Sequence, residues 1–283
     1  MSCRLIVHAD DYGISESVNN GICLAHRDGI LTSTSIMASG AAFEHGVEML
    51  QQHSSLDVGV HLTLIEEQPL LSKGRIPSLV GEDGLFFSHA TTFVKKYLTG
   101  RIQLSQVRSE LDRQICKVLD AGIEVSHLDS HQHLHALPGI RSTVVDLARE
   151  YGIPAVRLPS ESVQRYMFRG SGSLSRLMQL FVLKAFCATG SWDGLDTPDF
   201  FAGFYFGGRV TSENLRTILE NLPDTGICEL MCHPGLADEK NRYAHWGYRQ
   251  PEELEALLET EIAQLLSDKG VTLVSFRDVA DQV

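Results

Sequence analysis

Strand-like runs alternate with helix-like segments along nearly the whole chain, and this alternation constrains the fold more than any single motif does. Apolar runs lie at residues 4–9, 33–38, 57–64, 125–129, 155–158, 200–204, 227–232 and 271–276. Segments such as 104–121, 140–151 and 251–269 carry apolar residues at three-to-four spacing, the helical period. Repeated strand-helix-strand units imply a mostly parallel sheet. Seven or eight strands fit a closed or distorted (β/α) barrel, with a doubly wound open sheet as the alternative. At 283 residues and 43% hydrophobic content the chain can fill one such core. No repeat or low-complexity linker divides it, so a single domain over residues 1–283 is expected, with a polar, Gly- and Pro-containing insertion at 66–92 after the third strand.

The polar residues gather at strand ends. The run Ser126-His127-Leu128-Asp129-Ser130-His131-Gln132-His133-Leu134-His135 holds four of the twelve histidines and one carboxylate. Imidazole and carboxylate together are the ligand set of first-row metals, so the run points to a metal site; a solvated histidine-rich loop is the alternative. Near the start, Leu5-Ile6-Val7 leads through His8-Ala9 into Asp10-Asp11, and Tyr12-Gly13 breaks the chain before Ser15-Glu16-Ser17 opens a helix. In a regular strand the two aspartates face opposite ways, so one can bind a cation while the other stays ionised beside it as a base. In Ile227-Cys228-Glu229-Leu230-Met231-Cys232-His233-Pro234-Gly235, period-2 alternation puts Glu229, Met231 and His233 on one face. Pro234-Gly235 then ends the strand at the histidine. His61 stands in the otherwise apolar run Val58-Gly59-Val60-His61-Leu62. In a (β/α) barrel the carboxyl ends of the strands form one rim, where active sites assemble. Asp10, Asp11, His61, the 127–135 run, Arg157 and His233 therefore read as parts of one site.

Composition narrows the partners. A net charge of -12 with no long basic run argues against nucleic acid. No segment approaches the roughly 18 uninterrupted apolar residues of a membrane span, and the N-terminus enters a strand at once, without a signal-type apolar stretch. No membrane partner and a cytoplasmic location are expected. The six cysteines show no CxxC spacing and lie mostly in apolar segments, which favours reduced, buried thiols.

Taken in order, His8-Ala9-Asp10-Asp11-Tyr12-Gly13, Asn20-Gly21-Ile22, Thr32-Ser33-Thr34-Ser35, Gly59-Val60-His61-Leu62, the 127–135 run and His233-Pro234-Gly235 resemble the YdjC-like carbohydrate deacetylases. That family includes chitooligosaccharide deacetylases and hopanoid-biosynthesis-associated members. The resemblance implies a distorted (β/α) barrel related to the NodB-type polysaccharide deacetylases, a homodimer, and one divalent cation, Mg2+ or Zn2+, held by Asp11, His61 and His131. It also implies Asp10 as the base, His233 as the general acid and, by a looser match in Val156-Arg157-Leu158-Pro159, Arg157 as the residue that orients the base. His127, four residues before His131, stays open as an alternative ligand. His8 and Tyr12 replace the Asn and Phe of the usual opening and spare both aspartates.

The implied activity removes N-acetyl groups from a small acetylated carbohydrate, giving acetate and a free amine. A metal-dependent amidohydrolase or phosphoesterase on a nonsugar substrate is one alternative; a noncatalytic sugar-binding protein is another. The absence of a Gly-Lys-[Ser/Thr] loop weighs against phosphate substrates. The 66–92 insertion is expected to border the cleft. Phe86, Phe87, Tyr243, Trp246 and Tyr248 are expected either to stack on a sugar face or to pack locally.

Overall fold

The computed structural model describes residues 3–168, 174–190, 192, 194–239 and 242–280. Its strands are β1 (Cys3–Tyr12), β2 (Ser33–Ile36), β3 (Asp57–Leu62), β4 (His127–Ser130), β5 (Ala155–Val156), β6 (Phe200–Ala202), β7 (Gly226–Cys232) and β8 (Thr272–Val274). All pair in parallel, in the order β5-β4-β3-β2-β1-β7-β6. β8 pairs with residues 4–6 of β1, and β2 takes over from His8 onward. The ends of the curled sheet meet through single bridges, Ala155 with Asp196 and Glu161 with Phe201. The expected distorted barrel thus closes by irregular backbone, next to a β5 hemmed in by Pro154 and Pro159, which lack an N-H for a ladder.

The helices are α1 (Glu16–Asp28), α2 (Phe43–Leu50), α3 (Ala90–Leu98), α4 (Leu104–Asp120), α5 (Pro138–Tyr151), α6 (Leu174–Ala188), α7 (Ser212–Glu220), α8 (Gln250–Leu258), α9 (Thr260–Asp268) and α10 (Arg277–Ala280). α1 starts where expected, with Ser15 Oγ accepting from Val18 N at 3.2 Å. The helix expected at 251–269 is instead two, α8 and α9, parted at Glu259, whose ψ of 124° is extended. The Glu259 carboxylate there accepts from Ser212 Oγ and from Arg216. No helix among the described residues is long and apolar enough to cross a membrane, and the six cysteines form no disulfide.

Strand β1 is buried on both faces, as a central parallel strand must be. Leu5, Val7 and Ala9 join the layer beneath the helices, whereas Ile6 packs with Ala155, Ile227 and Phe276 inside the barrel. Above that plug the interior turns polar: His8 and Asp10 from β1, Asp129 from β4 and Glu229 from β7 are all buried. The apolar jacket, at about 1.5–3 kcal/mol per fully buried aliphatic side chain, offsets the cost of so much internal charge. After β3, the insertion is anchored by the buried Glu110, which accepts from Leu70 N at 2.9 Å and Leu71 N at 3.0 Å.

Candidate active site

Both aspartates of β1 reach the same site, contrary to the alternation expected of a regular strand. The β1–β2 register shifts between Ala9 and Tyr12, and Asp11 sits at φ 67°. This bulge re-aims one side chain, as bulges beside active sites do. Asp10 and Asp11 both come close to His61 as a result.

Asp11, His61 and His131 are buried, with donor atoms all within 4.8 Å of one another. Asp11 Oδ1 lies 3.0 Å from His131 Nδ1 and 3.3 Å from His61 Nε2. Asp11 Oδ2 and His61 Nε2 are buried without a hydrogen-bond partner, a state that costs about 1–3 kcal/mol per group when nothing fills it. The far ring nitrogens each meet a carboxylate: His61 Nδ1 lies 2.9 Å from Asp129 Oδ1, and His131 Nε2 lies 2.8 Å from Glu66 Oε2. Metal-ligating histidines are oriented in this way, and two nitrogens with one oxygen suit a divalent first-row ion. The donor set therefore fits the cation that the sequence resemblance implies. The same contacts set the charges. Burial would lower the pKa of both imidazoles, but Asp129 and Asp11 raise His61 to about 10, while Asp11 and Glu66 raise His131 to about 9. Burial also opposes ionisation of Asp11, and His131 and His61 overcome it, holding that carboxyl below its ordinary value.

Two further groups, His8 with His127 and Asp129, and Asp10 with His61 and Asp129, also converge within 4.8 Å. Both depend on Asp129, whose Oδ2 is already 2.8 Å from Arg157 Nη1, so a second cation would face the guanidinium. His127 is occupied at both nitrogens, by His8 Nε2 at 2.9 Å and Ser126 Oγ at 2.8 Å, and its ring stacks on Phe276 at 3.7 Å. It belongs to the barrel interior and not to the Asp11 cluster, and burial keeps it neutral.

Arg157 ties the interior carboxylates together. Its Nη1 and Nη2 donate to Asp10 at 2.8 and 2.6 Å, and its Nε donates to Glu229 at 2.7 Å. Burial pushes the Asp10 carboxyl up, but Arg157 with help from His8 and His61 holds it well below the ordinary range. A bidentate guanidinium also fixes the carboxylate plane.

His233 follows β7, and its backbone N donates to Glu253 Oε2 at 2.5 Å. Its ring leans on Tyr248 at 4.6 Å, and Nδ1 is buried without a partner. Burial lowers the His233 pKa although Asp10 and Asp11 pull it up. Glu253 also accepts from Val210 N at 2.9 Å, yet burial lifts its pKa to about 7. Asp10, His131, His133, Met231, His233 and Tyr248 surround a recess of about 20 Å3.

All six residues expected at the site, Asp10, Asp11, His61, His131, Arg157 and His233, lie buried around this rim. Alternation had already put Glu229 on the face of His233, but its role as partner of Arg157 emerges only in three dimensions. Glu66, at φ 66° in the insertion, carries no local signal at all. Trp246 lies 5.1 Å from His131 and borders the site with Tyr248, whereas Phe86 and Phe87 pack against the core and Tyr243 donates to Glu67.

Fold and site together define a class: a parallel (β/α) barrel with buried carboxylate-imidazole clusters at its carboxyl rim. Residues 4–268 match the YdjC-like protein family, and the chain belongs to it. It is 32% identical to a carbohydrate deacetylase of Brevibacillus brevis over 98% of this chain and 99% of that one. It is 29% identical to a chitooligosaccharide deacetylase of Serratia marcescens over 99% of this chain and 100% of that one. A crystal structure from Enterococcus faecalis V583, provisionally described as a cellobiose-phosphate cleavage protein, is similar at a TM-score of 0.74 and 25% identity, covering 99% of this chain and 100% of that chain.

Proposed function

We propose that this protein is a metal-dependent hydrolase that removes the N-acetyl group from a small acetylated carbohydrate, an amino sugar or chitooligosaccharide, releasing acetate and a free amine. The observation that carries this reading is the buried Asp11-His61-His131 cluster, with unpartnered donor atoms, set beside an Arg157-clamped Asp10 and a buried His233. The names of the full-length relatives support the same reaction. Asp11, His61 and His131 would hold one cation, zinc by ligand softness or magnesium; when bound it would polarise the acetamide carbonyl and lower the pKa of a water.

The rest falls to the chain's own side chains. Arg157 keeps Asp10 ionised and in one orientation, ready to take the proton of the attacking water at a carboxylate oxygen. His233 gives a proton to the departing nitrogen, and burial makes its imidazolium a stronger acid than an exposed one. Asp10 and His233 are both largely buried beside the recess, so each transfer takes place at a group with little contact with bulk water. Acetate release from diacetylchitobiose should vanish with chelator and return with added Zn2+ or Mg2+. Release that chelator leaves untouched, or none under any metal loading, would sink the proposal.

A further inference from the structure

We infer that His133 is a residue by which this site recognises its sugar: the imidazole hydrogen-bonds the free ring hydroxyl next to the carbon that bears the acetamido group. This rests on the deacetylase reading above and adds a substrate contact to it. Of the four histidines in the 127–135 run, three are occupied at both ring nitrogens. His127 meets His8 and Ser126, His131 meets Asp11 and Glu66, and His135 lies 2.6 Å from Ser130 Oγ and 3.1 Å from Arg157 O. His133 is the exception. It is 7% exposed, its Nδ1 is buried without a partner, and its Nε2 makes no hydrogen bond among the described residues. A buried polar group left unpaired is costly, and in a native protein it points to a bound species that completes it.

The position of the ring narrows what the missing partner is. His133 borders the recess together with Asp10 and His233, so a group held there lies beside the reacting amide. Its ring stands edge-on to Phe201 at 5.7 Å and tilts against Phe204 at 5.6 Å, an aromatic bed that fixes its plane. Gln132 and His133 take successive left-handed conformations, φ 53° and 55°, a strained backbone of the kind kept where a site requires it. The acetamide has no polar atom to spare, since its carbonyl goes with the cation site and its nitrogen with His233. The acetamido carbon has two ring neighbours: the anomeric carbon, whose oxygen is substituted in a glycoside, and the next carbon, whose hydroxyl is free. That hydroxyl both donates and accepts, which matches the N-H and the lone pair of a neutral imidazole.

The test compares methyl N-acetylglucosaminide with its 3-deoxy and 6-deoxy analogues on the zinc-loaded protein, by calorimetric binding and by acetate release. The wild type should lose about 10²-fold or more in kcat/KM on the 3-deoxy analogue, because a site built to bond a hydroxyl rejects a ligand that lacks it. It should also bind that analogue more weakly and treat the 6-deoxy compound like the parent. His133→Gly, which a left-handed backbone accepts without strain, should keep its metal and handle the parent and the 3-deoxy compound within about threefold of each other. His133→Asn also tolerates that backbone and keeps a hydrogen-bonding group, so it should restore part of the preference. A purely structural role would weaken both substrates alike and keep the wild-type ratio. Equal handling of the two by the wild type would overturn the inference and leave the His133 nitrogens to water only. This comparison needs no variant, so it decides even if His133→Gly does not fold. A 3-deoxy penalty that persists in His133→Gly would overturn the inference too, as would failure of the wild type to bind the parent glycoside. If no compound releases acetate while calorimetry shows the hydroxyl preference in the wild type and its loss in His133→Gly, the His133 contact stands and the deacetylase reading falls.

Discussion

The two sides of the rim answer burial differently. Around Asp11, buried groups face opposite charges at 3.3 Å or less, and His61 and His131 end with pKa values of about 10 and 9. Around His233, burial meets backbone N-H groups and aromatic rings, so His233 falls, Tyr248 rises and Glu253 is lifted to about 7. Burial with a paired charge fixes a charge in place; burial alone makes a group neutral. A cation bound by Asp11, His61 and His131 would have to displace the protons that these pairings hold on the two imidazoles. The arrangement around His233 suits a group that must gain and lose a proton near neutral pH.

Removing a ligand gives the largest expected effect. Asp11→Ala and His61→Ala should each fold and retain almost no metal after dialysis, because each opens the cluster without touching the apolar core. His127→Gln should keep its metal, since His127 serves His8 and Ser126. Elemental analysis decides this, and normal metal content in Asp11→Ala would end the assignment. On the proton-transfer side, Asp10→Asn and His233→Ala should retain the metal and lose about 10²- to 10⁴-fold in kcat. A variant with near-normal turnover removes its residue from the mechanism.

Much of the rim was legible in sequence because Asp10-Asp11 stand before Gly13 and His233 before Pro234-Gly235, where an apolar run meets a turn residue, while His61 showed as an imidazole inside an apolar run. Strand alternation predicted the wrong disposition of Asp11, because the bulge depends on pairing with β2, which no local pattern encodes. Glu66 was invisible for a related reason. It enters from a loop without periodicity, and only the approach of His131, 65 residues away in sequence, gives it a role. The break at Glu259 likewise comes from Ser212 and Arg216 on a different helix, against a helical pattern that continues across it. Local pattern reported strand ends; contacts between distant segments decided the rest.

A smaller effect tests the neutral side through pH. The folded pKa of Glu253 is about 7, against an ordinary 4.5. The folded state therefore holds that proton more tightly than the unfolded state, and stability is fully present below about 4.5 and lost as pH rises through 7. The span corresponds to roughly 3 kcal/mol. Urea unfolding of the wild type and Glu253→Gln between pH 5 and 8 should show the wild type losing stability relative to the variant up to pH 7 and holding a constant difference above it. A difference independent of pH would mean that Glu253 is ionised throughout, and the contrast between the two sides would fail at that residue.

The smallest effect asks whether the two sides move independently. A Cβ on Gly21, inside α1, would stand 2.5 Å from Gly235 Cα. On a free helix Gly→Ala gains about 1 kcal/mol, whereas overpacking costs about 1–3 kcal/mol, so Gly21→Ala should destabilise by up to about 2 kcal/mol. That amounts to a Tm lower by about 2–4 °C per kcal/mol. Gly235 N donates to Gln250 O at 3.2 Å and Leu236 N to Ser17 O at 3.0 Å, so relief requires the turn after β7 to shift. That shift carries His233 and leaves the Asp11 cluster, built on β1, β3 and the turn after β4, in place. Gly21→Ala should therefore keep its metal with unchanged affinity and lose kcat. A lower Tm with normal kcat would mean that the turn absorbs the methyl without moving His233. Loss of metal would mean that the two sides are one mechanical unit, and the distinction between them would be electrostatic only.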